Sequence, residues 1–292
     1  MNMQNEEGRK RDGDVLLHFQ VITDTHVTAD PEHTYNRNLG RALEDIKRQA
    51  PDSDGIMHVG DITDHGHMEE YAEFQRIWRE HGTGLPVSYF ASGNHDVSMG
   101  HWPARLGAYL DATKMSGPYH DHWVKGYHFI FLGSEQEIEL FAYLSETQLS
   151  WLDAKLSEGS DAARPAFVFL HQPLKDTVAG SYESQKWYGV VQDEALKDVL
   201  SKYRHAILFT GHTHWELGAL NTMYDGHDRL PIMFNAASVA YLWTDEDEHK
   251  DGSHGLFVDV YADRVIIRGR DFASGMWLEN ARFECEISDL SE

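Results

Sequence analysis

The chain has 292 residues, 41% of them hydrophobic and 12% aromatic, which suits an ordered protein with a full buried core and excludes a disordered one. Its formal net charge of -23 at pH 7 argues against a general nucleic-acid or anionic-membrane surface, because polyanions would be repelled over most of it. A small anionic substrate stays compatible, since bound divalent cations reverse a local field.

Met1 to Asp14 reads as a polar, charged tail with no apolar signal core, and no run reaches the length of a membrane span. Cys285 is the single cysteine, so an intrachain disulfide is excluded, which is compatible with a reducing compartment. The expectation is one domain over residues 15–292 of a cytoplasmic protein, with no sequence strip that marks a homo-oligomer interface.

From there β-runs alternate with helical patterns. Leu16 to Thr23 reads as a strand; Leu39, Leu43 and Ile46 then share one helical face. Gly55 to Gly60 is a second strand, Tyr71, Phe74 and Trp78 line a second helix, and Pro86 to Ser92 is a third strand. This alternation implies βαβ units with right-handed crossovers. Val97 to Pro118 is irregular and reads as an active-site loop. His128 to Gly133 resumes as a strand. Leu149, Leu152 and Leu156 mark a helix, with Ser145 and Gln148 at capping-box spacing.

Ala166 to His171 is the next strand, and Asp176 to Gly189 is a polar, aromatic connection. Leu196, Leu200 and Tyr203 give another helical face before the strand Ala206 to Thr210. Beyond it, Ile232 to Val239, Gly255 to Tyr261 and Arg264 to Asp271 read as successive strands of an antiparallel region, with a tight hairpin at Asp263-Arg264. Thr244 to Gly252 reads as an acidic loop. By itself this pattern is α/β with a β-rich end.

Five of the β-runs end in metal-type ligands: Asp24 and His26; Asp61 and Asp64; Asn94, His95 and Asp96; His171; His212 and His214. Open α/β sheets build their sites at strand ends, and carboxylate, imidazole and amide groups converging there suit divalent metals. Each group also has a local reading. Asp24 and Asp61 could cap the helices that follow, and Gly93-Asn94-His95-Asp96 could be a turn. Those readings must hold five times over, always at a strand end.

The motifs D-x-H, G-D-x-x-D, G-N-H-D, a lone His and G-H-x-H occur in that order as Asp24-Thr25-His26, Gly60 to Asp64, Gly93 to Asp96, His171, and Gly211 to His214. From about Val15 to Tyr261 the chain therefore resembles the calcineurin-like metallophosphoesterases, most closely their bacterial phosphodiesterase branch. The resemblance implies a four-layer α-β-β-α sandwich of two mixed β-sheets flanked by helices. It also implies two divalent metal ions, one held by Asp24, His26 and His214, the other by Asn94, His171 and His212, with Asp61 bridging. Mixed nitrogen and oxygen ligation without thiolate favours Mn, Fe, Zn or Co; Cys285 is far from every motif.

The implied reaction is hydrolysis of a small phosphodiester by a metal-bridged hydroxide. His95 would act on the phosphate and leaving oxygen, Asp96 would orient its ring, and Asp64 would support nearby backbone. Asn235 and Ser238 are further supporting residues, and Trp102, Tyr119, Trp187, Tyr188, Tyr241 and Trp243 fall in connections near the expected mouth. Many cyclic-nucleotide members carry an arginine just after G-N-H-D; here Val97 and Ser98 stand there. A phosphomonoesterase on the same site and an inactive metal-binding scaffold are the alternatives. A nuclease is disfavoured by the lack of a basic patch. His65 and His67 directly follow the second motif and read as a solvated helix start.

Overall fold

The computed structural model describes residues 13–158, 164–186 and 189–287. Most of the polar tail, and Trp187 and Tyr188, lie outside the described residues.

In chain order the elements are β1 (Leu17–Ile22), α1 (Thr34–Gln49), β2 (Gly55–Val59), α2 (Met68–His81), β3 (Ser88–Ala91), α3 (Asn94–Val97), α4 (Trp102–Thr113), β4 (His120–Val124) and β5 (Tyr127–Phe131). There follow α5 (Glu146–Glu158), β6 (Ala166–Phe169), α6 (Asp193–Leu200), β7 (Ala206–Thr210), β8 (Met223–Tyr224), β9 (Ile232–Asn235), β10 (Leu242–Trp243), β11 (His249–Lys250), β12 (His254–Val260), β13 (Arg264–Asp271) and β14 (Met276–Glu286).

Two six-stranded mixed sheets result, ordered β14-β13-β12-β1-β2-β3 and β4-β5-β6-β7-β9-β8. The period-2 pleat explains how they pack. Leu17, Phe19 and Val21 of β1 and Met57 and Val59 of β2 point between the sheets. There they meet Phe167 and Phe169 of β6 and Ile207 and Phe209 of β7. Phe19 sits edge-on to Phe129 and Phe167, with ring centroids 5.1 and 4.9 Å away, an arrangement favoured by the ring quadrupole.

The alternate residues face the other way. Ile56 of β2 packs under α1 and α2 with Leu39, Leu43, Ile46, Tyr71 and Phe74. Ala166 and Val168 of β6 and Leu208 of β7 pack under α5 and α6 with Leu152, Leu156, Leu196 and Leu200. The layers are therefore α-β-β-α, as the resemblance implied. A buried ion pair, Arg270 to Asp45 at 2.7 and 2.9 Å, ties β13 to α1.

Several local expectations are corrected. The stretch Val97 to Pro118 is mostly helical, because Pro103 stands in the first turn of α4 and Tyr109 is buried on its inner face. Ile232–Asn235 does not join the antiparallel region: β9 runs parallel to β7, whereas β12 and β13 pair antiparallel. The acidic stretch after Trp243 folds back, so that β11 pairs with β10. Ser145 does cap α5, its Oγ accepting the Gln148 amide at 3.1 Å. The Gln148 side chain turns instead to the amide and carbonyl of Gly133, beyond β5.

Candidate metal centre

β1, β2 and β3 of one sheet, and β6 and β7 of the other, are parallel strands whose carboxyl ends carry the five motifs, and β9, parallel to β7, ends in Asn235. Packing the sheets face to face brings those ends together. The chain leaves the strands in a left-handed conformation: φ is 52° at Asp24, 41° at His26, 50° at Asp61, 68° at His212 and 57° at His214. Non-glycine residues rarely adopt such angles, at a cost of order 1–3 kcal/mol each where held. The turns throw these side chains inward instead of along the strand.

Two glycines allow the approach. A Cβ on Gly93 would collide with the Asp61 carboxylate, and one on Gly211 with Thr23 Oγ1 and the Asp24 carboxylate. The glycines of G-N-H-D and G-H-x-H thus serve close packing around the carboxylates.

Asp24, His26 and His214 offer ligand atoms within 4.8 Å of one another, and so do Asp61, His171 and His212. His214 Nε2 is 2.9 Å from Asp24 Oδ1 and 3.1 Å from His26 Nε2. His171 Nε2 is 3.1 Å from Asp61 Oδ2 and 3.2 Å from Asn94 Oδ1. Asp61 Oδ2 is also 3.7 Å from His26 Nε2 and 4.0 Å from His95 Nε2. All seven expected ligands thus converge, nearly or wholly buried.

The outer atoms of these groups are tied down. Asp24 Oδ2 accepts from Thr23 Oγ1 at 2.6 Å and from the His212 amide at 3.0 Å. Asp61 Oδ1 accepts from the His95 amide at 2.8 Å. His171 Nδ1 donates to the Val59 carbonyl at 2.8 Å, which turns Nε2 to the centre. Ser238 Oγ donates to the Asp24 carbonyl at 3.0 Å; Asn235 Nδ2 donates to Gly211 O at 3.1 Å and Thr213 Oγ1 at 2.7 Å. These two residues tie down the turns that carry Asp24, His212 and His214.

The electrostatics call for cations. Burial works to raise the Asp24 carboxyl, yet His214 and His171 outweigh it and hold it well below the usual carboxylate range. Burial likewise opposes ionisation of Asp61, and His171 and His95 overcome it. In return, against the cost of burial, Asp24, Asp64 and Asp61 push the His26 imidazole up to about 10. Asp61 and Asp24 push His171 up to about 9. His212, desolvated and beside His171, is driven down to about 3 and stays a neutral donor. Asp24 Oδ1 is buried and accepts no hydrogen bond, although imidazole nitrogens surround it. A carboxylate oxygen in that position, facing convergent imidazole nitrogens and no thiolate, fits a borderline divalent metal. The residues present therefore fit the metal pair.

Two expectations about neighbours change. Asp96 does not reach the His95 ring. Its buried carboxylate accepts from the amides of Ile62, Thr63 and Gly93 at 3.1, 3.2 and 3.0 Å, and from the Tyr71 hydroxyl at 3.3 Å. It joins the second and third motif loops. The His95 ring is oriented by Asp64, whose carbonyl accepts from Nδ1 at 2.6 Å, and the Asp64 carboxylate takes His26 Nδ1 at 3.1 Å.

Of the expected aromatic residues, Tyr241 stands at the centre, its ring 4.3 Å from His214 and 5.9 Å from His26. Trp102 donates to the Ser134 carbonyl at 3.0 Å, and Tyr119 packs on Trp151 at 4.9 Å. Sequence reasoning missed Tyr35, which stacks on Tyr241 at 5.4 Å with its ring 6.4 Å from His26. It lies outside every motif, so no local signal marks it. Thr23 was also missed, though its place directly before Asp24 is such a signal.

Residues 17–216 match the profile of a family described as calcineurin-like phosphoesterase. A probable cyclic nucleotide phosphodiesterase of a Synechococcus strain is 26% identical over 251 residues, 82% of this chain and 91% of that protein. A probable glycerophosphodiester phosphodiesterase of Arcobacter nitrofigilis is 25% identical over 213 residues, 66% of this chain and 70% of that protein. Among solved structures, a purple acid phosphatase from yellow lupin seeds superposes with a TM-score of 0.70 at 14% identity, over 96% of this chain and 56% of that one. That likeness concerns the fold. Among the described residues, no helix is long and apolar enough to cross a membrane.

Proposed function

The chain belongs to the calcineurin-like phosphoesterase family, whose members are metal-dependent phosphoric ester hydrolases, and on that premise we propose that it hydrolyses a small phosphodiester at a centre of two divalent cations. Asp24, His26 and His214 would hold one cation and Asn94, His171 and His212 the other. The position of Asp61 carries the reading: Oδ2 lies 3.1 Å from His171 and 3.7 Å from His26, so one carboxylate oxygen faces both ligand groups. When bound, the cations would neutralise the phosphoryl oxygens and acidify water near neutral pH.

The rest falls to the chain's own residues. His95 is partly exposed at the rim, with 26% of its side chain accessible, and its Nδ1 is committed to the Asp64 carbonyl. Nε2 is therefore the atom that faces the centre, placed to hold a phosphoryl oxygen or pass a proton to the leaving oxygen. Asp64 keeps His26 and His95 in register through one residue. Val97 and Ser98, which follow the motif, are buried, and Ser98 Oγ donates to the Gln136 carbonyl at 3.4 Å. Two relatives bearing phosphodiesterase names, each matched over at least 70% of its own length, favour a diester over a monoester.

The test is hydrolysis of bis(p-nitrophenyl) phosphate against p-nitrophenyl phosphate by protein stripped of metal and reloaded with manganese. Faster diester turnover is expected. Faster monoester turnover would replace the reading with a phosphomonoesterase, and no turnover with both cations bound would leave a metal-binding scaffold.

A further inference from the structure

We propose that His65, His67 and Glu70 form a third metal site, for a borderline transition dication such as Zn²⁺, on the rim of the catalytic centre. The three residues offer one donor atom each within 4.8 Å of one another. Local structure holds them there. Gly66, between the two histidines, has φ of 67°, and a Cβ on it would strike the Asp96 carbonyl oxygen at 2.6 Å. The turn is therefore pressed against the third motif loop, and the His65 and His67 rings stand nearly parallel, 5.5 Å apart at 14°.

Glu70 lies in the first turn of α2 with only 5% of its side chain exposed. Its Oε2 accepts from the backbone amides of His65 and His67 at 2.9 and 3.0 Å. That fixes the carboxylate and leaves Oε1 toward His65 Nδ1 at 2.9 Å. Two imidazoles and a carboxylate are a zinc donor set, and bonds of about 2.0–2.1 Å in tetrahedral geometry space donors about 3.3 Å apart. His65 is 52% exposed, so its ring can rotate to close the remaining gap and water can take a fourth position.

The site stands apart from the catalytic pair but touches it through one residue. Asp64 Oδ2 is 3.4 Å from His65 Nδ1, and Oδ1 of the same carboxylate holds His26. The chain as a whole carries a formal net charge of -23, a field that favours the approach of cations.

The experiment uses the full chain, stripped with a chelator, equilibrated against buffered Zn²⁺ and analysed for zinc per chain by atomic emission. The wild type is expected to hold one zinc more than His65→Ala/His67→Ala, whatever number the catalytic centre holds. The single variant His67→Ala, which leaves the Asp64 contact intact, is expected to lose the same equivalent. Manganese-supported turnover of bis(p-nitrophenyl) phosphate should stay within about twofold in both variants. Equal zinc content in wild type and variants across the titration would overturn the proposal.

Discussion

His95 Nδ1 donates to the backbone carbonyl of Asp64 at 2.6 Å, while the carboxylate of Asp64 holds His26 Nδ1 at 3.1 Å. The proposed acid and a proposed ligand are thus positioned by one residue at the rim. The bond to the main chain fixes the ring and leaves Nε2 as the atom that faces the centre.

His95→Asn is expected to keep both cations and lower turnover about 10²–10⁴-fold, the range for a positioned general acid. If His95 donates a proton, the loss shrinks for esters with better leaving groups. An equal loss across a leaving-group series would assign it to phosphate positioning instead.

Asp61→Asn removes the anionic oxygen that faces both ligand groups. Metal content and diester turnover should fall together. Full retention of two cations, measured on the dialysed variant, would end the assignment of Asp61 as their shared ligand.

Asp96→Ala should act on stability. The substitution strands the buried amides of Ile62, Thr63 and Gly93, which now end on its carboxylate. Breaking such a buried charged network costs about 3–5 kcal/mol. Urea unfolding of metal-free protein would read it. A loss of turnover with unchanged stability would return Asp96 to a direct part in the chemistry.

The pH dependence of stability has a contributor away from the centre. His120 stacks on Phe131 at 4.9 Å, and its Nε2 donates to the Phe90 carbonyl at 2.9 Å. Burial pushes its imidazole down to about 4, with the adjacent His122 adding to the shift. The folded value lies below that of the unfolded chain, about 6.5. This contribution is therefore fully present above pH 6.5 and is lost as pH falls toward 4, by about 3 kcal/mol in all. His120→Gln keeps an amide donor for Phe90 and should flatten urea midpoints between pH 6.5 and 4.5 relative to wild type. Parallel pH profiles would refute the assignment.

Chain order alone placed the seven expected ligands at the ends of β-runs. Leu17, Phe19 and Val21 alternate to one side of β1, and Ala166 and Val168 alternate against Phe167 and Phe169 in β6, which is how each sheet is covered on both faces. Two sheets with helices outside came from the family resemblance; by itself the pattern made only α/β with a β-rich end legible. The helix α4 was not, because glycine and histidine before Pro103 mask a short amphipathic face. Nor was the parallel pairing of β9 with β7, since a β-run carries no mark of its partner's direction.

By itself the sequence determined which residue types stand at which strand ends, and hence the family, because residue spacing along a strand or turn is a local property. Only the tertiary structure decided what those residues touch. It placed Asp96 on backbone amides, made Asp64 the support of His95, and set Tyr35 on Tyr241 beside His26. Those contacts depend on how two sheets stack and how left-handed turns aim their side chains, geometry that no spacing along the chain encodes.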